Sequence, residues 1–336
     1  MRGKRKLVKS KTSFDIKTLL KGLVSGKRST LARAITLVES TRKDHQIFAQ
    51  QLLEKVLSKT GSSIRIGISG VPGVGKSTFI ENFGLFMVNR GYKVAVLAVD
   101  PSSKRAGGSI LGDKIRMEEL SRSNFAFIRP SPTGGSLGGV ARRTRESMLL
   151  CEAAGYDVII VETVGVGQSE TSVADMVDMF ILLLLPGGGD EIQGLKKGII
   201  ELSDLLIVNK ADGDLENSAK ITAQHYRQAI HFVQPSYAEW DPKVITCSSL
   251  DMKNMKEIWS HIGAFQKIRK KNRNFSKHRK NQASIWMWSE INESLNDAFR
   301  GDQRVKKILK KIELNVMSGK MTPRSGVKKL LEVFLK

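Results

Sequence analysis

Cysteine and histidine are scarce in this chain of 336 residues, which contains two cysteines and five histidines. Cys151 lies on a predicted helix and Cys247 at the end of a predicted strand, so we expect two small core residues in a reducing compartment and no disulfide. The sequence has no Cys-x-x-Cys pair and no histidine-rich tract, and a protein that delivers metal ions needs such ligands on its surface. The composition therefore disfavours a metal-carrying function.

Long apolar runs are also absent. The apolar segment at residues 179–185 is far too short to span a bilayer. The first residues are basic but are not followed by an apolar run, so no secretory signal is predicted, and lysine dominates where a transit peptide would have arginine and serine. We therefore expect a cytoplasmic protein without a membrane segment.

Acidic and aromatic residues are few relative to lysine and arginine. The chain has 55 Lys and Arg against 33 Asp and Glu, a formal net charge of +22, and 6% aromatic residues. Residues 1–12 and 265–284 contain six and eight basic residues without any acid, and so supply 14 of the 22 surplus charges. Neither run has the interleaved aromatic residues of a base-stacking surface. We interpret both as solvated segments; an acidic partner surface is the next alternative, and specific nucleic-acid binding is the least favoured.

Glycine, by contrast, is concentrated in one informative segment. Residues 70–77 read Gly-Val-Pro-Gly-Val-Gly-Lys-Ser and match the phosphate-binding loop, whose glycines let backbone N–H groups surround phosphate oxygens. A predicted strand precedes the loop at residues 65–69, and a predicted helix follows at 78–88 with its positive dipole end toward the anion. Lys76 would reach the β- and γ-phosphates, and Ser77 would bind Mg²⁺. The predicted contacts are Gly70, Val71, Pro72, Gly73, Val74, Gly75, Lys76, Ser77 and Thr78.

Two further motifs indicate the base. Asn209, Lys210 and Asp212 follow a predicted buried strand at residues 205–208, so they would project at the edge of the sheet where ligands bind. The Asp212 carboxylate can accept from the N1–H and the exocyclic amine of guanine, a pair that adenine lacks. The motif alone could be a solvated turn; together with the phosphate loop it favours guanine. After the strand at 244–246, backbone contacts to the base edge are predicted for Ser248, Ser249 and Leu250.

Acidic residues at strand ends predict a Mg²⁺ site beside the phosphates. Glu162 ends an apolar run at residues 158–161 and can hold a Mg²⁺-bound water, whereas Asp100, after the strand at 93–99, is either a ligand or a helix cap. Asp113 by itself is more readily a cap or a solvated charge. No residue is an obvious general base, and the sequence does not choose between Gln168 and Glu162 for orienting the attacking water.

Two glycine-rich segments lie between the predicted strands. Residues 131–145 combine four glycines with three arginines, which indicates either a mobile loop leading into a basic helix or a switch whose Arg142, Arg143 or Arg145 meets a phosphate or a partner's acid. Residues 186–197 form the second segment. We predict slow intrinsic hydrolysis that accelerates when a partner orders these loops.

The alternation of seven predicted strands with helices indicates an α/β fold, a mainly parallel sheet with helices on both faces. We predict a helical N-terminal extension at residues 1–61, a nucleotide-binding domain at 62–262 and a helical arm at 263–336. In the extension, Phe48, Leu52 and Val56 repeat at helical spacing. In the arm the same spacing recurs at Ile285, Trp288, Ile291, Leu295 and Phe299, and Gly319 followed by Thr322-Pro323 marks one helix end and the next helix start.

Longer motifs resemble those of one family. They lie at residues 69–78 (SGVPGVGKST), 99–103 (VDPSS), 112–117 (GDKIRM), 129–139 (RPSPTGGSLGG), 161–170 (VETVGVGQSE) and 186–191 (PGGGDE). Together they are similar to the MeaB/ArgK family, the GTPases associated with methylmalonyl-CoA mutase that include the mitochondrial methylmalonic aciduria type A protein. The resemblance extends through most of residues 30–336 and implies a P-loop NTPase fold of the SIMIBI type.

The resemblance implies a homodimer, joined through the C-terminal arm, that binds GTP or GDP with Mg²⁺. It implies a chaperone for adenosylcobalamin-dependent methylmalonyl-CoA mutase, in which GTP hydrolysis gates cofactor delivery and helps to protect or reactivate the mutase. Cobalamin adenosyltransferase is a further implied partner, and the mitochondrial matrix is the implied location in a eukaryote. By the resemblance, Mg²⁺ and phosphate positions fall on Lys76, Ser77, Asp100, Asp113 and Glu162. Asp190 and Lys196 match the segment that couples the partner to hydrolysis.

Three alternatives stay open. A GTPase of the hydrogenase or urease maturation type shares the fold class but needs surface metal ligands. A second alternative is an ATPase or kinase of lysine, arginine and ornithine transport, which is an older name for the family. This alternative requires ATP turnover that survives Asp212→Ala. A scaffold that binds RNA through its basic ends predicts steep salt dependence and no effect of Lys76→Ala.

Overall fold

The computed structural model describes residues 15–99, 117–130, 137–163, 169–187, 197–230, 237–271 and 273–335. The chain divides into two compact units, Met1–Arg279 and Lys280–Lys336. The boundary predicted between residues 262 and 263 falls inside one continuous helix, Met255–Lys271. None of the described helices combines the length and the apolarity needed to cross a bilayer.

The first unit is built on a seven-stranded parallel sheet with the strand order β3-β2-β4-β1-β5-β6-β7. This arrangement confirms the predicted α/β fold. The strands are β1 Ile64–Gly70, β2 Val94–Val99, β3 Ala126–Arg129, β4 Val158–Thr163, β5 Met179–Leu184, β6 Leu205–Val208 and β7 Lys243–Thr246.

Helices precede, connect and follow these strands. In the first half of the chain they are α1 Ile16–Val24, α2 Arg28–Glu39, α3 Lys43–Val56, α4 Lys76–Val88, α5 Glu118–Arg122 and α6 Leu137–Ala153. In the second half they are α7 Ser169–Ala174, α8 Lys197–Glu201, α9 Glu216–Ile230, α10 Met255–Lys271, α11 Asn274–Gly301, α12 Gln303–Met317 and α13 Pro323–Phe334.

The sheet is covered on both faces because its strands are apolar at most positions. Along β5, Met179, Ile181 and Leu183 pack into the core that contains α4 and α10. The alternate residues Phe180 and Leu182 join the core formed with α1, α2, α3 and α6. Side chains alternate between faces along a strand, so a continuous apolar run is what a two-sided parallel sheet requires. The strand ends are the positions left for polar groups.

The N-terminal helices are part of the core of the first unit. Leu23 of α1, Leu31 of α2 and Leu52 of α3 are completely buried and belong to the same apolar cluster as Leu150 of α6. Leu52 lies on the apolar stripe predicted from the sequence. The helical extension therefore stabilises one face of the sheet through hydrophobic burial.

Three aspartates hold the amino-terminal edge of the sheet together. Asp157, Asp178 and Asp204 each precede a strand, and each carboxylate accepts the backbone N–H of a residue in or beside a different strand, at 2.8 Å in every case. The donors are Lys93 before β2, Arg65 of β1 and Phe180 of β5. These contacts satisfy N–H groups at the ends of parallel ladders, where a regular strand has no partner.

Arg279 connects the start of α11 to this edge. Its guanidinium donates to Asp178 from Nε at 2.8 Å and from Nη2 at 2.7 Å, and also to the carbonyl oxygens of Gly61 and Ser63. Arg269 is more deeply buried, with 2% exposure and its guanidinium 3.4 Å from the ring centroid of Tyr237. The prediction that basic residues at 265–284 form a solvated segment is therefore wrong for these two arginines.

The second unit ends in a helical hairpin formed by α12 and α13. Gly319 has a φ of 71° after α12, and the hydroxyl of Thr322 accepts the N–H of Ser325 at the start of α13. Both features confirm the helix end and start that the sequence predicts. The two helices bury a small core, whose fully or nearly fully buried members are Val305, Ile312 and Leu330.

Candidate nucleotide-binding site

The predicted phosphate loop connects the central strand β1 to α4. Gly73 and Gly75 adopt left-handed conformations with φ of 82° and 89°, which glycine enters without steric cost. Gly75 occupies the N-cap position, and α4 has no side-chain cap there. The N–H groups of the first helical turn are consequently left for another acceptor, which is how a helix start binds phosphate.

Two glycines of this loop have no room for a side chain. A Cβ on Gly75 would lie 2.8 Å from Nδ2 of Asn209, and a Cβ on Gly70 would lie 2.6 Å from the carbonyl oxygen of Leu183 on β5. The backbone at these positions therefore packs directly against neighbouring strand ends. A cradle for phosphate lined by backbone rather than by side chains is the result.

Lys76 is the first residue of α4, and its ammonium group folds over the loop. Nζ donates to the carbonyl oxygens of Gly70 at 2.6 Å and Val71 at 3.2 Å. Burial lowers the pKa of Lys76, while the carboxylates of Glu162 and Glu170 act in the opposite direction. The ammonium is thus held at the mouth of the cradle by weak carbonyl partners and two nearby acids.

Glu162 and Ser77 supply the oxygen atoms that Mg²⁺ prefers. Glu162 is buried near the carboxyl end of β4, in register with Ile68 of β1 and Ala98 of β2. Ser77 lies in the first turn of α4. A carboxylate and a hydroxyl at adjacent strand and helix ends fit a hard cation. Among the described residues, no group of three or more His, Cys, Asp or Glu side chains converges, either here or elsewhere.

Several predicted site residues lie outside the described part of the chain. They are Asp100, Asp113, Gln168, Asp190 and Lys196. Arg142, Arg143 and Arg145 are on α6, so the predicted basic helix is present, whereas residues 131–136 and 188–196 are not described.

Asn209 joins the phosphate loop to the predicted base loop. Its Nδ2 donates to the carbonyl oxygen of Val74 at 2.8 Å, and its Oδ1 accepts the hydroxyl of Ser249 at 2.6 Å and the Ser249 N–H at 3.2 Å. Asn209 is buried directly after β6. Its neighbour Lys210 has a φ of 57°, a strained conformation for a residue with a side chain and one that recurs at functional sites.

Asp212 lies at the opening of the same loop. One carboxylate oxygen accepts the hydroxyl of Ser248, and that hydroxyl in turn accepts the N–H of Asp251 at 3.0 Å. The N–H of Ala211 donates to the carbonyl oxygen of Cys247 at 2.9 Å. The loops after β6 and β7 are therefore joined by hydrogen bonds, with the Asp212 carboxylate oriented by Ser248.

Sequence reasoning missed two residues of this site. Asn82 on α4 donates from Nδ2 to the carbonyl oxygen of Ser249 at 2.7 Å. Glu170, in the first turn of α7, is buried and acts electrostatically on Lys76. Glu170 stands eight residues after Glu162 within one quoted motif, a signal that could have identified it; a lone asparagine within a helix gives no such signal.

The parallel sheet, the backbone cradle and the joined loops define a P-loop nucleotide-binding protein. The family model described as "Methylmalonyl Co-A mutase-associated GTPase MeaB" matches residues 31–304. The chain therefore belongs to the MeaB family of GTPases, and the resemblance seen in the sequence is confirmed.

Similar proteins cover nearly the whole chain. A Caulobacter vibrioides protein named as a GTPase is 53% identical over 322 residues, which are 96% of this chain and 98% of its own. The mouse mitochondrial methylmalonic aciduria type A homolog is 46% identical over 326 residues, covering 94% of this chain and 79% of its own. A crystal structure titled as an LAO/AO transport system kinase superposes with a TM-score of 0.76 at 39% identity, covering 96% and 98% of the two chains.

Proposed function

We propose that this protein is a switch that hydrolyses GTP to GDP and phosphate. The observation that carries the proposal is the double role of Asn209, whose amide contacts the phosphate loop at Val74 and the base loop at Ser249. Phosphate binding and base binding are thereby linked through one side chain. The Asp212 carboxylate beside it is the proposed acceptor for guanine.

The proposed chemistry is attack of water on the γ-phosphate. Negative charge on the transferring group would be stabilised by the Lys76 ammonium and by the N–H groups of the first turn of α4. Mg²⁺, when bound, supplies further charge neutralisation, and its proposed ligands are Ser77, Asp100, Asp113 and Glu162. Gln168 or Glu162 would orient the water, and Lys196 would couple a partner to hydrolysis.

The proposed client is adenosylcobalamin-dependent methylmalonyl-CoA mutase. The description of the family names this mutase, and a mouse relative is named for methylmalonic aciduria. In this proposal GTP hydrolysis gates the loading of the mutase with its cofactor and helps to protect or reactivate it. We place the protein in the cytoplasm, or in the mitochondrial matrix of a eukaryote, with cobalamin adenosyltransferase as a further partner; co-purification of both enzymes with the tagged chain tests the partners.

Phosphate release tests the function directly. Release from GTP and from ATP is measured with and without purified mutase, and the variants Lys76→Ala and Asp212→Ala serve as matched controls. We expect slow GTP turnover that the mutase accelerates and no ATP turnover. Unstimulated GTP turnover would argue for another client, whereas ATP turnover that survives Asp212→Ala would favour the transport kinase named for the solved relative.

We also propose that two copies associate through one face of α11. Ile285, Trp288, Ile291 and Leu295 recur at helical spacing and are 51%, 60%, 37% and 55% exposed in a single chain. A row of large apolar side chains left in water is more typical of an interface than of a monomer surface.

A further inference from the structure

Hydrogen bonds connect the phosphate loop, the base loop and α4 in a closed path. It runs from the Val74 carbonyl to the Asn209 amide, from Asn209 Oδ1 to the N–H and hydroxyl of Ser249, and from the Ser249 carbonyl to Nδ2 of Asn82. Asn82 lies on α4, the helix that begins at Lys76, so the path returns to the phosphate loop through the helix itself. Besides Asn209, Asn82 is therefore a second residue whose hydrogen bond connects the phosphate-binding part of the site to the base loop.

Asn82 fixes one particular peptide plane. The carbonyl oxygen that it holds at 2.7 Å belongs to the peptide between Ser249 and Leu250. This peptide is trans, and in a planar trans peptide the N–H points away from the C=O. The N–H of Leu250 consequently faces the side opposite Asn82. Holding the carbonyl determines the direction of that N–H.

The Leu250 N–H is a donor of this loop that stays available to an acceptor outside the protein. The N–H groups of Ser249, Asp251 and Lys253 all donate within the loop or to Asn209. Among the described residues, the Leu250 N–H donates to none, and the Leu250 side chain is 72% exposed. A backbone donor in a fixed direction beside Asp212 and Asn209 is suited to a base.

The position of such a donor matters for which purine binds. Guanine carries an acceptor oxygen, O6, where adenine carries an amino donor. A fixed N–H aimed at that position accepts guanine and opposes adenine, since adenine would leave two donors facing each other. The N1–H and the exocyclic amine on the neighbouring edge are the groups proposed for Asp212. A base without O6 cannot make the Leu250 contact, so a variant that acts only on this contact should not change the binding of such a base.

We propose that Asn82 is a positioning residue for purine selectivity, which aims the Leu250 N–H at O6 of the base by holding the Ser249 carbonyl. This inference rests on the proposed guanine site and adds a residue that acts through Ser249 without touching the base. It belongs to the helix of the phosphate loop, so the orientation of the base loop depends on the same element that carries Lys76.

The test compares three nucleoside diphosphates on the full-length protein. GDP and inosine diphosphate carry O6 and the N1–H, whereas 2-aminopurine riboside diphosphate lacks both and keeps the exocyclic amine, so each variant is compared with the unaltered protein on the same nucleotide. Dissociation constants are measured by titration calorimetry for the unaltered protein, for Asn82→Ala and for the isosteric Asn82→Asp, which loses the donor. Asn89→Ala is the matched control because Asn89 is an exposed asparagine at the end of the same helix. Thermal unfolding is recorded for every variant.

We expect Asn82→Ala and Asn82→Asp to weaken the binding of GDP and of inosine diphosphate by about tenfold, as loss of one well-placed hydrogen bond predicts. Binding of the 2-aminopurine nucleotide should stay within about twofold, because the contact at issue is absent from it. KM for GTP should rise while the single-turnover hydrolysis rate changes little, since Asn82 does not contact the phosphates. Asn89→Ala should leave all three constants unchanged.

Two results would overturn the inference. Unchanged GDP binding in both Asn82 variants would show that the carbonyl needs no anchor, and equal weakening of all three nucleotides would show a general structural role for α4. Failure of the proposed function is a separate result, because it is seen in the unaltered protein, as binding of GDP no tighter than ADP.

Discussion

Lys76 combines a buried position with partners that a phosphate can replace. Its ammonium donates to two backbone carbonyls of the loop, which are neutral and weaker partners than phosphate oxygens. A nucleotide can draw the ammonium away from these carbonyls at modest cost. Glu162 and Glu170 oppose the effect of burial on its pKa, which helps the amine to stay charged until the substrate arrives.

Replacing Lys76 should therefore abolish most of the hydrolysis. We expect Lys76→Ala to lower the single-turnover rate of γ-phosphate release by about two to three orders of magnitude, the usual result of removing one group that stabilises transition-state charge. The thermal midpoint should change little, because the lost contacts are to carbonyls at the surface of the loop. A release rate within about threefold of that of the unaltered protein would show that Lys76 takes no part in the chemistry.

The residues of the site differed in how readily the sequence revealed them. The phosphate loop is contiguous, so its glycines, Lys76 and Ser77 can be recognised from their spacing alone. The contact of Asn82 with Ser249 joins positions 167 residues apart, and no local pattern encodes such a pair. Candidate site residues within one contiguous motif could be proposed from the sequence, whereas a residue that holds another loop in place, such as Asn82, could be identified only in the folded chain.

Directly before β6 lies a buried carboxyl group, that of Asp204. Asp204 is buried, accepts the N–H of Phe180 at 2.8 Å, and its own carbonyl accepts the indole N–H of Trp240. Burial raises the pKa of Asp204 to about 7 from an ordinary value of 3.8, against smaller opposing effects of the Phe180 hydrogen bond and of Arg269. The start of β6 is thus a protonation site inside the core.

This carboxyl group should make stability depend on pH. Between about pH 4 and pH 7 the unfolded chain has lost the Asp204 proton while the folded protein retains it, so unfolding releases a proton and is favoured as the pH rises. The contribution of Asp204 is full below about pH 4 and is lost by about pH 7. We expect urea unfolding of Asp204→Asn to lack this decline, with the difference from the unaltered protein changing steadily across the window.

Asp157→Asn is the matched control, because Asp157 makes the equivalent backbone contact before β4 but is exposed. The plot of its unfolding free energy against pH should have the same shape as that of the unaltered protein across this range. A parallel pair of curves for Asp204→Asn and the unaltered protein would mean that the buried carboxyl group does not titrate in this window.

The free energy of unfolding should be sensitive to the loss of one charge near the start of α11. Arg279→Met would leave the Asp178 carboxylate, 1% exposed, without its bidentate partner. Breaking a buried pair in this way costs about 3–5 kcal/mol, measurable by urea unfolding. The double variant Arg279→Met with Asp178→Asn should recover part of that loss, whereas exposed Lys277→Met should cost almost nothing. An Arg279→Met protein as stable as the Lys277→Met protein would contradict this account.

Elements with a strong period were predictable, and their junctions were not. The strands predicted at residues 65–69, 93–99, 158–161, 205–208 and 244–246 lie within one or two residues of the observed bounds, because each contains a run or an alternation of apolar residues. The boundary at 262–263 was predicted from the end of the strand pattern, yet α10 continues through it to Lys271. Its basic end is anchored by Arg269 on Tyr237, a contact across more than thirty residues that charge patterns do not reveal.

At the scale of the molecule, the net charge of +22 opposes association of two copies, so an interface needs a local apolar driving force. The row formed by Ile285, Trp288, Ile291 and Leu295 supplies one within the second unit. Tryptophan is among the residues that contribute most of the binding free energy at interfaces, and the aliphatic side chains beside Trp288 add apolar area to be buried. Because the repulsion is screened by salt, association should strengthen, not weaken, as the ionic strength rises.

We therefore expect the protein to be a dimer by light scattering and Leu295→Lys to be a monomer, since the substitution would bury an unpaired charge in the interface at a cost of about several kcal/mol. Asp297→Lys adds the same side chain two positions away, on the opposite side of α11, and should remain dimeric. Circular dichroism should be identical for both variants, and each should keep basal GTP turnover. If the dimer persists in Leu295→Lys and Trp288→Lys, or dissociates as salt is added, the contact lies on another surface. The row on α11 would then be exposed to solvent and would not form the interface.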